Sequence, residues 1–180
     1  QKEKGRVVSN SITGISNPAD CTAGYIKIDN KVLKCDEDYD HLLGFRVEYY
    51  YRVSEDSNDE LLFLRELPGN KTVKINPDDV TAFDNMIYSV EEDDKIKDYK
   101  LKRDIDFIYN NIAYPGYQLA DFRPQSGEIT LLDSDGNGEY ETVIIKSSVD
   151  FVVNNLTSDG TIYNLLPNEP LKISKYDDLS

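Results

Sequence analysis

The chain has 180 residues, 39% of them hydrophobic and 30% charged, with 34 acidic against 20 basic side chains. That length supports one medium domain or two small ones, and the apolar fraction is near the globular norm, which argues against wholesale disorder. A net charge of −14 argues against nucleic acid and anionic membrane as partners, and no apolar run approaches the roughly 18 residues of a membrane span.

Thirteen Tyr, no Trp and many β-branched residues favour strands. The sequence starts at Gln1 and its only Met is Met86, so it reads as a segment cut from or processed out of a longer chain. Residues 1–20 are polar, carry Ser, Asn and Gly, and read as a lead-in segment. Between Cys21 and Cys35, "TAGYIKIDNKVLK" predicts a hairpin turning near Asp29–Lys31. That register sets Cys35 near Tyr25 rather than Cys21, so two free thiols are expected. "GFRVEYYYRV" (44–53) alternates strictly, with Phe45, Val47, Tyr49, Tyr51 and Val53 on one face of a half-buried strand. "ELLFLREL" (60–67) returns, Pro68-Gly69-Asn70 turns, and "KTVKI" (71–75) completes a three-strand meander.

One short helix is expected near 77–84, with Asn76 as cap, Pro77 in its first position and Asp78 and Asp79 at its positive end. Residues 86–90 and 96–101 flank the acidic "EEDD" as another hairpin, where the basic run "KIKDYKLKR" (95–103) pairs across strands or forms a docking patch. A second subdomain is expected from 104, giving 21–103 as a β meander and 104–180 as β hairpins, or one continuous domain. "DFIYNNIAY" (106–114) reads as strand, turn and short strand, 115–127 as loop, and 128–133, 139–147, 149–155, 161–166 and 171–176 as strands. Strand signals every 8–12 residues predict a mainly-β fold: antiparallel sandwich or barrel-like sheets built from hairpins and meanders.

The chemistry concentrates in "LLDSDGNGEYETVII" (131–145). Asp133, Asp135, Asn137, Gly138 and Glu141 form D-x-D-x-N-G-x-x-E, and oxygen ligands at every second residue can wrap a calcium ion. The ligand set is Asp133, Asp135, Asn137, Glu139 and Glu141. An EF-hand is argued against by Ile144 at the twelfth position and by strand-like flanks. Two readings stay open: a β-flanked calcium loop, and a plain turn in which Gly136 and Gly138 supply positive φ while the acids face water.

Catalytic signals are thin. His41 is the only histidine, no G-x-S-x-G or phosphate-binding glycine motif occurs, and Cys21, Cys35 and His41 match no zinc spacing. The expectation is no enzyme and no cofactor beyond calcium. Tyr49, Tyr50 and Tyr51 suit either a half-exposed sheet face or a protein interface.

"FIYNNIAY" (107–114) and "SGEITLLDSDGNGEYETVIIKSSVDFVV" (126–153), with "LLGFRVEYYYRV" (42–53) upstream, resemble a β-rich module of large virion structural proteins from phages of Gram-positive bacteria. The module is also found in surface-layer-associated proteins. Asn111 stands where the module usually has Gly. The resemblance implies a non-catalytic assembly domain in a tail, baseplate or neck component of the virion, bound to other protein subunits or to copies of itself. The alternative is an adhesion or carbohydrate-binding module at the bacterial cell surface with a calcium loop.

Overall fold

The computed structural model describes residues 1–15, 21–55, 58–147, 153–157, 161–164 and 171–172. The chain divides into two compact units, residues 1–147 and 148–180. Five strands of the first unit close a barrel: β1 (Lys2–Ser9), β2 (Tyr25–Ile28), β3 (Lys31–Lys34), β4 (Arg46–Arg52) and β5 (Glu60–Glu66), in the order β1-β2-β3-β5-β4. All neighbours are antiparallel except β3 and β5, which meet in a short parallel contact at Lys34 and Glu60. Three consecutive strands with β4 returning beside β1 are a Greek key, and β5 closes it so that no edge is left unpaired. Val7, Ile26, Ile28, Leu33, Val47, Tyr49, Tyr51, Leu61 and Leu64 fill the interior.

Residues 2–9 are therefore not a lead-in but a strand paired on both sides, to β2 and β4. Its alternation is masked because Glu3 and Gly5 occupy inward positions beside Tyr49 and Val47. Gly5 is there for space, since a Cβ would sit 2.6 Å from Ile28 and 2.5 Å from Asp29. The β2–β3 hairpin turns at Asp29 (φ 50), pairs Tyr25 with Lys34, and leaves Cys21 and Cys35 buried and not joined in a disulfide. Between β4 and β5 the register slips: Tyr50 faces Phe63 and Tyr51 faces Leu61, so Leu62 is an extra residue in a bulge.

The second sheet contains β6 (Lys71–Ile75), β7 (Val80–Asp84), β8 (Ile87–Glu92), β9 (Lys95–Tyr109), β10 (Ile112–Ala113), β11 (Glu128–Asp133) and β12 (Tyr140–Lys146). Its order is β6-β11-β12-β9-β8-β7, with β10 on β9 and one parallel pair, β9 with β12. The expected meander through β6 is corrected: β6 pairs with β11, because barrel closure has already used both edges of β5. The expected helix is corrected too. Asn76 does cap, its side chain accepting from the Asp78 amide at 3.1 Å, but the helix is one 3-10 turn, Pro77–Asp79. Val80, Thr81 and Phe83 then favour extended backbone, and β7 pairs with β8. The expected boundary at 103/104 falls inside β9, which runs unbroken from the β8 hairpin to its pairing with β12.

Alternate residues of β9 and β12 serve two cores. Phe107, Val143 and Ile145 join Tyr88, Leu101, Phe122, Ile129 and Leu131 on one face. Ile108 and Ile144 turn the other way, against the barrel core. Around Phe107–Ile108 and Val143–Ile145 the two strands are thus covered on both sides.

The second unit has one small antiparallel sheet, β13 (Val153–Leu156), β14 (Thr161–Asn164) and β15 (Leu171–Lys172). The remaining parts of the strands expected at 149–155, 161–166 and 171–176 lie outside the described residues. Among the described residues helix is limited to 3-10 turns, so the fold is mainly β, as expected.

Candidate functional site

The loop joining β11 to β12 is built around Asp133. This residue is fully buried, and its carboxylate accepts the backbone amides of Gly136 at 2.6 Å and Asn137 at 3.2 Å on Oδ1, and of Gly138 at 2.8 Å on Oδ2. Gly136 (φ 74) and Gly138 (φ 89) turn the chain so that these amides converge, as the turn reading requires. Glu141, two residues into a buried strand, sends Oε1 back to the Ser134 amide at 2.7 Å and to the Ser134 hydroxyl. Its Oε2 is buried without a hydrogen bond. Asp135 accepts from Asn137 Nδ2 at 3.1 Å and from Lys102 Nζ at 2.9 Å. The Lys102 hydrogen bond holds the Asp135 carboxyl below its ordinary range, and Asp135 in turn raises the Lys102 ammonium.

Of the five predicted metal ligands, three come together: one carboxylate oxygen each from Asp133, Asp135 and Glu141 lies within 4.8 Å of the others. Asn137 spends its Oδ1 on the Glu139 amide at 2.8 Å, and Glu139 turns away to pair with Lys100. Lys102 was not foreseen as part of the site. It belongs to the basic run of β9, in which Lys97 and Lys100 pair with Glu92 and Glu139. Nothing local in the sequence signals that this run lies parallel to β12.

A cleft of about 760 Å³ opens beside the loop, lined in part by Arg6, Arg46, Lys102, Asp106, Asp135 and Glu141. Arg6, from the barrel, donates to the Gly44 carbonyl at 2.9 Å and pairs with Asp106 of β9 at 2.7 Å. Burial pushes the Asp106 carboxyl up, and Arg6 offsets part of that.

The three tyrosines separate. Tyr49 and Tyr51 are buried in this chain's own barrel, with hydroxyls donating to Glu3 at 2.8 and 2.6 Å. Both are thus withdrawn from the expected interface, because inward alternation claims them. Tyr50 alone faces outward, half-buried, its ring 6.0 Å from Phe63. Cross-strand register sets Lys2, Tyr50 and Phe63 in one row and Lys4, Glu48 and Arg65 in the next. The bulge leaves Leu62 53% and Phe63 51% exposed beside them, two consecutive apolar side chains where alternation would bury one. His41 is exposed in a 3-10 turn, and among the described residues it joins no metal-binding group with Cys21 or Cys35. Comparison with known proteins finds no matching family model, no matching curated protein and no matching solved structure.

Proposed function

We propose that this chain is a non-catalytic structural domain acting through protein–protein contacts, as part of a phage virion component such as a tail, baseplate or neck protein. The observation that carries the contact role is the outer face of β1, β4 and β5. Tyr50, Leu62 and Phe63 form an apolar centre there, and the exposed Lys2, Lys4, Arg46, Arg52 and Arg65 surround it. Apolar and aromatic centres with a polar rim are the anatomy of a protein interface. The acids on this face are accounted for: Glu48 is buried under Lys2 and Arg65, and Glu60 pairs with Arg52. In a chain of net charge −14 such a cationic face suits an acidic subunit surface, including that of a second copy. The virion setting rests on the sequence resemblance.

Light scattering across a concentration series tests the reading, together with capture of the proteins encoded beside the parent gene. Self-association or a neighbour complex is expected, and Leu62→Ser with Phe63→Ser should weaken it at least tenfold. A strictly monomeric chain whose parent gene lies far from capsid and tail genes would sink the proposal. The converging carboxylates of Asp133, Asp135 and Glu141 favour a second reading, a calcium-dependent adhesion or carbohydrate-binding module at the cell surface. Glycan-array binding that disappears in chelator would select it over the first.

A further inference from the structure

We propose that the β11–β12 loop is a calcium site, in which Asp133, Asp135 and Glu141 are the carboxylate ligands and the ion takes over the position of the Lys102 ammonium. The inference stands on this loop alone and does not depend on the assembly role.

The local charge is unbalanced. Three carboxylates converge within 4.8 Å, and among the described residues the one ammonium paired with them is that of Lys102. Three negative charges against one positive leave −2, which a divalent cation neutralises. Like charges held this close repel without such compensation, the more so because Asp133 and Glu141 are buried.

The second observation is Glu141. The residue is 8% exposed, and its Oε2 is buried with no hydrogen-bond partner. The nearest cation, Lys102 Nζ, stands 3.8 Å away, beyond hydrogen-bond reach. Buried carboxylate oxygens are normally hydrogen-bonded, so this one, held only by an ammonium at 3.8 Å, keeps acceptor capacity for a cation. Glu141 belongs to the group that brings one carboxylate oxygen from each of three residues within 4.8 Å of one another.

The loop is also preorganised. Three backbone amides and the Ser134 amide and hydroxyl fix Asp133 and Glu141 in place. An ionised carboxylate has about four acceptor sites, so these bonds leave lone pairs for a metal. Numbered from Asp133, the acids fall at positions 1, 3 and 9, and the backbone carbonyl of Glu139 at position 7 is a further oxygen at calcium-loop spacing. The donors are all oxygen, with no Cys or His, which selects a hard cation. An irregular set of carboxylates and a carbonyl suits Ca²⁺, whereas Mg²⁺ demands near-octahedral geometry. Ile144 at position 12 supplies no bidentate carboxylate, so affinity belongs in the weak range of about 10⁻⁴–10⁻³ M.

Lys102 is placed to leave. Tyr140 pairs with Leu101 and Thr142 with Asp106, so residues 102–105 of β9 stand opposite the single residue Glu141. Lys102 therefore projects from an irregular stretch beside the triad, on a flexible stem that can swing into the adjoining cleft.

The test is calcium titration of the whole chain, by calorimetry and by melting in about 5 mM calcium, about 5 mM magnesium and chelator. The melting temperature should rise several degrees in calcium and much less in magnesium. Asp135→Asn, a substitution at a surface position, and Glu141→Gln should each abolish the rise. Lys102→Gln should tighten calcium binding by about threefold or more, because the competing ammonium is gone. Terbium luminescence competed away by calcium gives a readout on the unmodified chain, should a variant fail to fold. No rise and no competition up to about 10 mM calcium would overturn the site. A rise that survives both carboxylate substitutions would place the ion elsewhere and overturn it equally. Unchanged or weaker binding by Lys102→Gln would overturn the displacement of Lys102.

Discussion

Glu3 shows how one charged residue can hold a barrel end together. Its carboxylate accepts from the Tyr51 hydroxyl at 2.6 Å, from Lys31 at 2.9 Å and from the Tyr49 hydroxyl at 2.8 Å. The Tyr51 bond, then those of Lys31 and Tyr49, hold its pKa down at about 2, against an ordinary 4.5. Lys31 also lies 3.8 Å from the centroid of the Tyr51 ring, so the cation binds both ring and carboxylate. A carboxyl with a depressed folded pKa adds stability that is complete above its unfolded value and is lost as pH falls through the folded one. The window here is pH 4.5 down to about 2. Glu3→Gln should therefore lower the melting temperature at neutral pH and flatten its decline across that window. Parallel acid limbs for the two proteins would show that Glu3 is not linked to folding. Tyr88 makes the complementary case, a buried hydroxyl donating to the Phe122 carbonyl at 2.7 Å. Tyr88→Phe keeps the ring and leaves that carbonyl unpaired, a cost of roughly 1–3 kcal/mol by chemical denaturation.

Among the elements, hairpins depend on local chemistry and sheet neighbours do not. The turn Asn110-Asn111 joins β9 to β10 with φ values of 48° and 64°, left-handed at both central residues. Such a turn matches strand twist and favours Asn-Gly, so Asn111→Gly should stabilise the chain by ~0.5 kcal/mol in urea melts. A loss of stability would mean that the Asn111 side chain contributes more than its backbone strain costs. The same local logic made the turns at Asp29 and Asp93-Asp94 legible, because alternation on both arms and a turn residue between them are read within a dozen positions. Pairing partners were not legible. β6 follows β5 by a tight turn yet joins β11, and β9 lies parallel to β12 although residues 110–139 separate them, because barrel closure and double-sided burial decide those neighbours. The acidic loop divides along the same line. Asp133, Asp135 and Glu141 were readable from spacing, while Lys102 arrives through the parallel pairing and Glu139 departs to Lys100. Tyr49 and Tyr51 were readable as one face, but which face was inward depended on the barrel.

Across the first unit, two cores are tied through one pair of strands, and Arg6 is the polar tie beside them. Its guanidinium runs from the barrel to Asp106 and Thr142 of the second sheet, with side-chain exposures of 23% for Arg6 and 25% for Asp106. Both charges are thus mostly out of water, and removing one leaves the other without compensation. Arg6→Ala should cost roughly 3 kcal/mol, and Asp106→Asn added to it should recover part of that loss, the signature of a coupled pair. The pH dependence follows from Asp106. Burial already pushes its carboxyl up, and Arg6 is the main group opposing that. Without Arg6 the folded value rises further above the unfolded one, and an acid raised on folding loses stability as pH climbs through its titration. The Arg6→Ala deficit should therefore be smallest in acid and grow towards neutrality, while the double variant shows no such growth. Barrel and sheet should still melt together, since Ile108 and Ile144 continue to bury against the barrel core from strands whose other face fills the second core. A pH-independent deficit, or melting in two steps in the Arg6→Ala protein, would show that the shared strands and the ion pair do not act as one connection.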